Sequence, residues 1–337
     1  MRIIQMGGNM KSSLRKFQWS LFLSLSLGLL FATQGYPLDE DVAKYPSRPI
    51  TFIHPFTAGT SIDMSIRLIT REAEKFLGQP IIVVNKAGGS GSVGVAALAS
   101  AKPDGYTLGN APASTVFVVP LLEKVPYHPV RDLRFIAQFA SLNIGVFVKT
   151  DSPFKSFKDI ITYARQNPKK VTHGTAGATS MQFLIMEQIL RKEKAQFTLI
   201  PFGSAAQTET ALLGGHILIG SGDFSYSQVE AGQIRVLLLF NDEKSAEYPH
   251  LPILKDLGYD FPAPYYACVA APKGVPDGIA RKLEDAFAKA SKEPAFLAGM
   301  KKLHLPVVYH NSEEIGNYVV RNYDAFAKLL KEIGLAK

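Results

Sequence analysis

Two short segments of this 337-residue chain supply hydrogen-bond donors where a ligand could sit. They are Phe56-Thr57-Ala58-Gly59-Thr60-Ser61 and Gly174-Thr175-Ala176-Gly177-Ala178-Thr179-Ser180. Each follows a short apolar run, Ile50–Pro55 or Val171–His173, and each leads into a segment with helical periodicity. Gly and Ala let a ligand approach the backbone, while Thr and Ser add hydroxyls. The first N–H groups of a helix lack internal partners, and the helix dipole adds about half a positive charge there. Such a start holds an anion, most simply a carboxylate, without Arg or Lys. Ordinary capping by Ser and Thr would explain the same residues. The pairing of the two segments, with similar loops at 86–94 and 201–204, favours a site.

Other candidates flank these loops. Asp63 falls in the first turn after the first loop, where it could orient the loop, meet a ligand amine, or simply pair with the helix dipole. Asp223 follows Gly220-Ser221-Gly222 at a strand end, as a site residue or a turn residue. Phe56 and Phe202 each follow a Pro and could wall a pocket or pack in the core. Ser114 could reach the same crevice or cap a helix. His54 and His173 close equivalent strands, and burial with satisfied partners is the better reading of both. Cys268 lies in an apolar run as a core thiol.

Catalytic signatures are missing. There is no G-x-S-x-G elbow and no H-E-x-x-H, and the seven His show no metal-ligand spacing. Gly89-Ser90-Gly91-Ser92-Val93-Gly94 has the dinucleotide-loop spacing. Four residues separate it from its strand, however, and Asp104 comes too early for the ribose acid. The expectation is no enzyme, no cofactor and no metal.

The elements that must position these loops alternate. Strands are predicted at Ile50–Pro55, Pro80–Asn85, Tyr106–Asn110, Phe135–Gln138 and Asn143–Val148, with helices at Met64–Leu77, Val95–Ala101 and Thr115–Leu122. The pattern restarts with a helix at Ser156–Asn167, then Val171–His173, Met181–Arg191, Thr198–Pro201, Ala205–Leu213, Ile217–Gly220, Val236–Leu239 and Tyr266–Ala270. Amphipathic helices at 277–292 and 312–333 complete the chain. This is an α/β protein whose strands should form mostly parallel sheets.

Residues 11–19 are polar and basic, 20–32 apolar, and Thr33 and Gly35 small. That is the layout of a secretory signal peptide over 1–35, cleaved near Gly35, with an apolar run too short to span a bilayer. Removing it leaves +4 of the +8 net charge, and no basic run with interleaved aromatics argues for nucleic acid. A single Cys excludes an intramolecular disulfide framework.

Several segments carry a family resemblance in a specific order. They are Tyr45-Pro46-Ser47-Arg48-Pro49-Ile50, Pro55–Asp63, Pro103-Asp104-Gly105-Tyr106-Thr107-Leu108, Ala211-Leu212-Leu213-Gly214-Gly215-His216, Ala231-Gly232-Gln233-Ile234-Arg235 and Ala271-Pro272-Lys273-Gly274-Val275-Pro276. From Tyr45 to about Gly334 the chain resembles the periplasmic solute receptors of tripartite tricarboxylate transporters, the Bug family. The resemblance implies a two-lobed periplasmic binding fold (type II), with lobe one at 45–148 plus 269–337 and lobe two at 149–268. It implies a small organic carboxylate held between the lobes by backbone N–H groups, hydroxyls and bridging water, then passed to integral-membrane transporter subunits. The receptor would be a periplasmic monomer that closes by a hinge near Val146–Thr150 and Tyr266–Ala270. A sensory partner of a membrane kinase is the alternative role. Thr60 stands where the family has a second Gly, and Thr179 and Phe183 stand at a usual Gly and His. These departures suggest a more apolar or differently shaped carboxylate.

Overall fold

A computed structural model describes residues 42–177 and 180–335. The proposed leader and Thr179 lie outside the described residues. In chain order the first half contains β1 (Ile50–His54), α1 (Ser61–Leu77), β2 (Ile81–Asn85), α2 (Ser92–Ala99), β3 (Thr107–Gly109), α3 (Ala113–Phe117), α4 (Val119–Leu122), α5 (Pro129–Asp132) and β4 (Leu133–Ser141). The second contains β5 (Gly145–Lys149), α6 (Phe157–Gln166), β6 (Val171–Ala176), α7 (Met181–Glu193), β7 (Phe197–Phe202), α8 (Ala205–Leu213), β8 (Ile219–Gly222), α9 (Tyr226–Glu230) and β9 (Ile234–Leu239). The chain then returns through β10 (Tyr266–Pro272), α10 (Asp277–Ala290), α11 (Pro294–Lys302) and α12 (Ser312–Glu332).

Helix α1 forms for readable reasons. Ile66, Ile69, Thr70, Ala73 and Leu77 recur at helical spacing and are buried. Thr60 caps the start, and Gly78, with φ 72°, ends it in the left-handed conformation. The helix begins three residues before the expected Met64, because the Thr60 hydroxyl supplies a cap that hydrophobic periodicity does not register.

Two five-stranded sheets result, in the orders β2-β1-β3-β10-β4 and β7-β6-β8-β5-β9. Both are mixed: the strands that carry the loops pair in parallel, and β10 and β5 each run antiparallel to both neighbours. Strand direction then fixes where the chain crosses. Strand β4 runs with β1 and β3, so it leaves the first sheet at their carboxyl edge. Strand β5 enters the second sheet with Gly145 opposite Gly222, at the carboxyl edge of β8 and β6. Strand β9 leaves that edge, and β10 returns with Tyr266 opposite Ser141. Both crossings therefore join the carboxyl edges of the two sheets.

The first crossing is Leu142–Ile144, ahead of the hinge expected at Val146–Thr150, because Gly145–Lys149 is already committed to ladder bonds with β8 and β9. Helix α11 was not expected; only Phe296 and Met300 among its nine residues are buried, too few to show a period.

Candidate functional site

Strand β1 ends in buried His54, and the backbone emerges through Pro55 and half-buried Phe56 into Thr57, Ala58, Gly59, Thr60 and Ser61, all exposed. The Thr60 hydroxyl accepts from Asp63 N at 3.2 Å. The α1 ladder begins with Met64 N donating to Thr60 O, so Ser61 and Ile62 N–H are left without an acceptor among the described residues. Gly59 has φ 88° and donates its N–H to Asp63 Oδ2 at 3.0 Å.

Asp63 braces this loop. It is 2% exposed and also accepts from Arg67 Nε at 3.0 Å and Asn85 Nδ2 at 2.8 Å. Asn85 donates as well to Phe56 O at 3.0 Å, so strand β2 ties both ends of the loop. Burial by itself would raise the Asp63 pKa, but the donors from Arg67, Asn85 and Gly59 outweigh it and hold the carboxyl at about 2. Of the readings open in the sequence, the structure assigns Asp63 to loop orientation. Phe56 lies against Gly91 and Thr115, where a Cβ at Gly91 would come within 3.2 Å of the ring. Half-buried Ser114 sits beside Thr115 on α3.

In the second half, Gly174 and Thr175 are strand residues, since β6 continues to Ala176. Gly174 is taken up by packing: a Cβ there would meet Ile217 at 2.3 Å and Phe202 at 3.0 Å. Phe202 packs with that core. Gly177 turns the chain with φ 89°. Ser180 caps α7, accepting from Phe183 N at 3.4 Å and donating to Gly177 O at 3.0 Å; Thr175 Oγ1 lies 3.3 Å from its hydroxyl. Asp223, one residue past β8, lies at the same edge as this loop.

The two strand-end histidines differ. His173 Nε2 hydrogen-bonds Ser221 Oγ at 2.7 Å, and burial lowers its pKa to about 4. His54 is equally buried, with neither ring nitrogen hydrogen-bonded. Burial lowers its pKa too. A histidine depressed in the folded state stabilises above the unfolded value of 6.5 and loses that contribution as pH falls through about 4. Acid should therefore remove about 3 kcal/mol at His173 alone. Thermal melts from pH 7 to pH 4 should show the loss, and His173→Gln should make the slope shallower.

Sequence reasoning missed Arg67, Asn85, Gln182 and Tyr265. Arg67 lies four residues after Asp63, a spacing that could have found it. Asn85 meets Asp63 only through the parallel register of β1 with β2. Tyr265 OH donates to Gln182 Oε1 at 3.4 Å, tying the returning crossing to the first turn of α7. Cys268 is buried beside Asn110 and Ala111, and burial pushes its pKa up to about 12. Among the described residues no group of three or more His, Cys, Asp or Glu could hold a metal, and no helix is long and apolar enough to cross a membrane.

Residues 65–335 match the model of the tripartite tricarboxylate transporter family receptor. The chain belongs to this receptor family. A Cupriavidus necator relative, described as a UPF0065 protein in the gbd 5' region, is 34% identical over 302 residues, 89% of this chain and 92% of its own. The receptor's fold matches a solved solute-binding protein of the family from Polaromonas with TM-score 0.78 at 26% identity, over 86% of this chain and 99% of that one. An R. palustris protein solved with adipate shares the fold, with TM-score 0.70 at 24% identity, over 87% of this chain and 99% of that one. The family is one of solute receptors rather than enzymes. The glycine motif at 89–94 fits that assignment: it forms one 3-10 turn and opens α2 from its middle.

Proposed function

We propose that this receptor is exported to the periplasm, captures a small organic carboxylate between its two lobes, and delivers it to the membrane subunits of a tripartite transporter. One observation carries the reading. The capped starts of α1 and α7 both lie on the sheet edges that the crossings join. A carboxylate bound to Ser61 and Ile62 N–H on one lobe and to the start of α7 on the other would favour closure, because only the closed state satisfies both. The crossings at Leu142–Ile144 and 240–265 would act as the hinge.

A thermal-shift screen of mono-, di- and tricarboxylates tests this. A ligand at about 100 times its Kd stabilises by about 2.7 kcal/mol, or roughly 5 °C in a chain of this size. At least one acid should produce such a shift. A broad panel without one would show that the ligand class is wrong.

A further inference from the structure

One residue of the first lobe reaches the second beside the hinge. His304 follows α11 and stands in the left-handed region with φ 54°. Its ring stacks on Tyr226 of α9, with centroids 4.2 Å apart and planes 19° from parallel. Tyr226 OH donates to His304 O at 2.8 Å, so both the ring and the backbone of His304 are held. His304 Nδ1 lies 2.6 Å from Glu247 Oε1. Asn143 Nδ2 closes the cluster, donating to Tyr226 OH at 3.3 Å and to Glu247 Oε2 at 3.4 Å. Asn143 belongs to the first crossing and Glu247 to the second. The cluster thus joins both lobes and both crossings.

Strand order says what this contact does. In the first sheet, β2-β1-β3-β10-β4, the crossing strands β10 and β4 lie at one end, and β1, which leads into α1, lies toward the other. In the second, β7-β6-β8-β5-β9, the crossing strands β5 and β9 lie at one end and β6 toward the other. His304 enters a segment that runs along the free edge of β4, where Ser141 N donates to Pro306 O at 2.9 Å and His310 bridges Gln138. Tyr226 sits on α9, which packs on β9, the outer strand of the second sheet. The stack therefore lies on the far side of the crossings from the two helix starts. A rotation about the crossings that draws those starts together pulls His304 and Tyr226 apart.

We infer that Tyr226, His304 and Glu247 form a latch that opposes closure and so sets the receptor's affinity without touching the ligand. This rests on the hinge-closing carboxylate reading above and deepens it. Closure has to break the stacked pair and the hydrogen bond from Tyr226 to His304 O. Apparent affinity falls in proportion to the fraction of receptor in the binding-competent state. The latch keeps that fraction low in the empty receptor.

His304→Gly is the direct test, because glycine adopts the left-handed conformation freely and only the ring is lost. Nitroxide labels at Ile82→Cys and Leu218→Cys, both exposed and one in each lobe, report the lobe separation by double electron–electron resonance. Cys268 is buried and stays unlabelled. Without ligand, His304→Gly should add a population at shorter distance, and Tyr226→Leu should do the same. Titration calorimetry with the acid that gives the largest thermal shift should show affinity rising about five-fold in each variant. A merely structural role would lower affinity instead. An unchanged ligand-free distance in both variants overturns the inference, whatever the acids do. A shorter distance with unchanged or weaker binding overturns its claim on affinity. A shorter distance with no binding by any acid supports the latch and overturns the carboxylate reading.

Discussion

Gly145→Ala is expected to destabilise the receptor by about 3 kcal/mol, at the upper end for overpacking. Gly145 opens β5 at the first crossing, between β8 and β9. A Cβ there would stand 2.3 Å from Leu238 O. That carbonyl belongs to the β9 backbone, held in the ladder, so it cannot yield as a flexible side chain would. Urea melts should show the loss as a lower midpoint with an unchanged slope. Gly316→Ala is the control of opposite sign, since its Cβ would meet nothing within 4 Å and alanine is favoured over glycine in a helix by about 1 kcal/mol. Equal stability of Gly145→Ala and the unmodified protein would mean that β5 does not sit where the crossing requires.

Asp63→Asn should cost about 2 kcal/mol, a figure reached in two ways from the same donors. An amide turns a donor toward Arg67 or Gly59 where a carboxylate accepted, leaving buried polar groups unpaired at about 1–3 kcal/mol. The shift from 3.8 to about 2 also corresponds to about 2 kcal/mol of stabilisation by the ionised form. Because the folded pKa is depressed, that contribution is present above pH 3.8 and disappears as pH falls through about 2. The variant should therefore be less stable at neutral pH yet lose less on acidification between those values. Ligand affinity should fall with it, since Asp63 fixes Gly59 and, through Asn85, the backbone of Phe56.

Much of this was readable in the residues. Thr60 and Ser180 sit where helix caps belong, and strand–loop–helix alternation marks both helix starts. The limits were set by what register alone decides. Gly174 looked like loop because glycine has low strand propensity, yet it pairs with Ile200 and Gly220 inside β6. His54 and His173 look equivalent in sequence and diverge only because β8 brings Ser221 to one of them. The crossing at Leu142–Ile144 was hidden because apolar runs on both sides read as strand without saying which sheet each joins.

The account depends most on the open N–H groups at the helix starts. Ser61→Pro addresses them directly. Proline is favoured at the first helical position, and Thr60, with ψ 159°, already has the extended conformation required of its predecessor. The substitution thus removes one donor while preserving the helix. Titration calorimetry with whichever acid gives the largest thermal shift should show affinity falling at least ten-fold, with the ligand-free melting temperature unchanged. Full affinity in a folded Ser61→Pro protein would contradict the claim that the start of α1 holds the ligand.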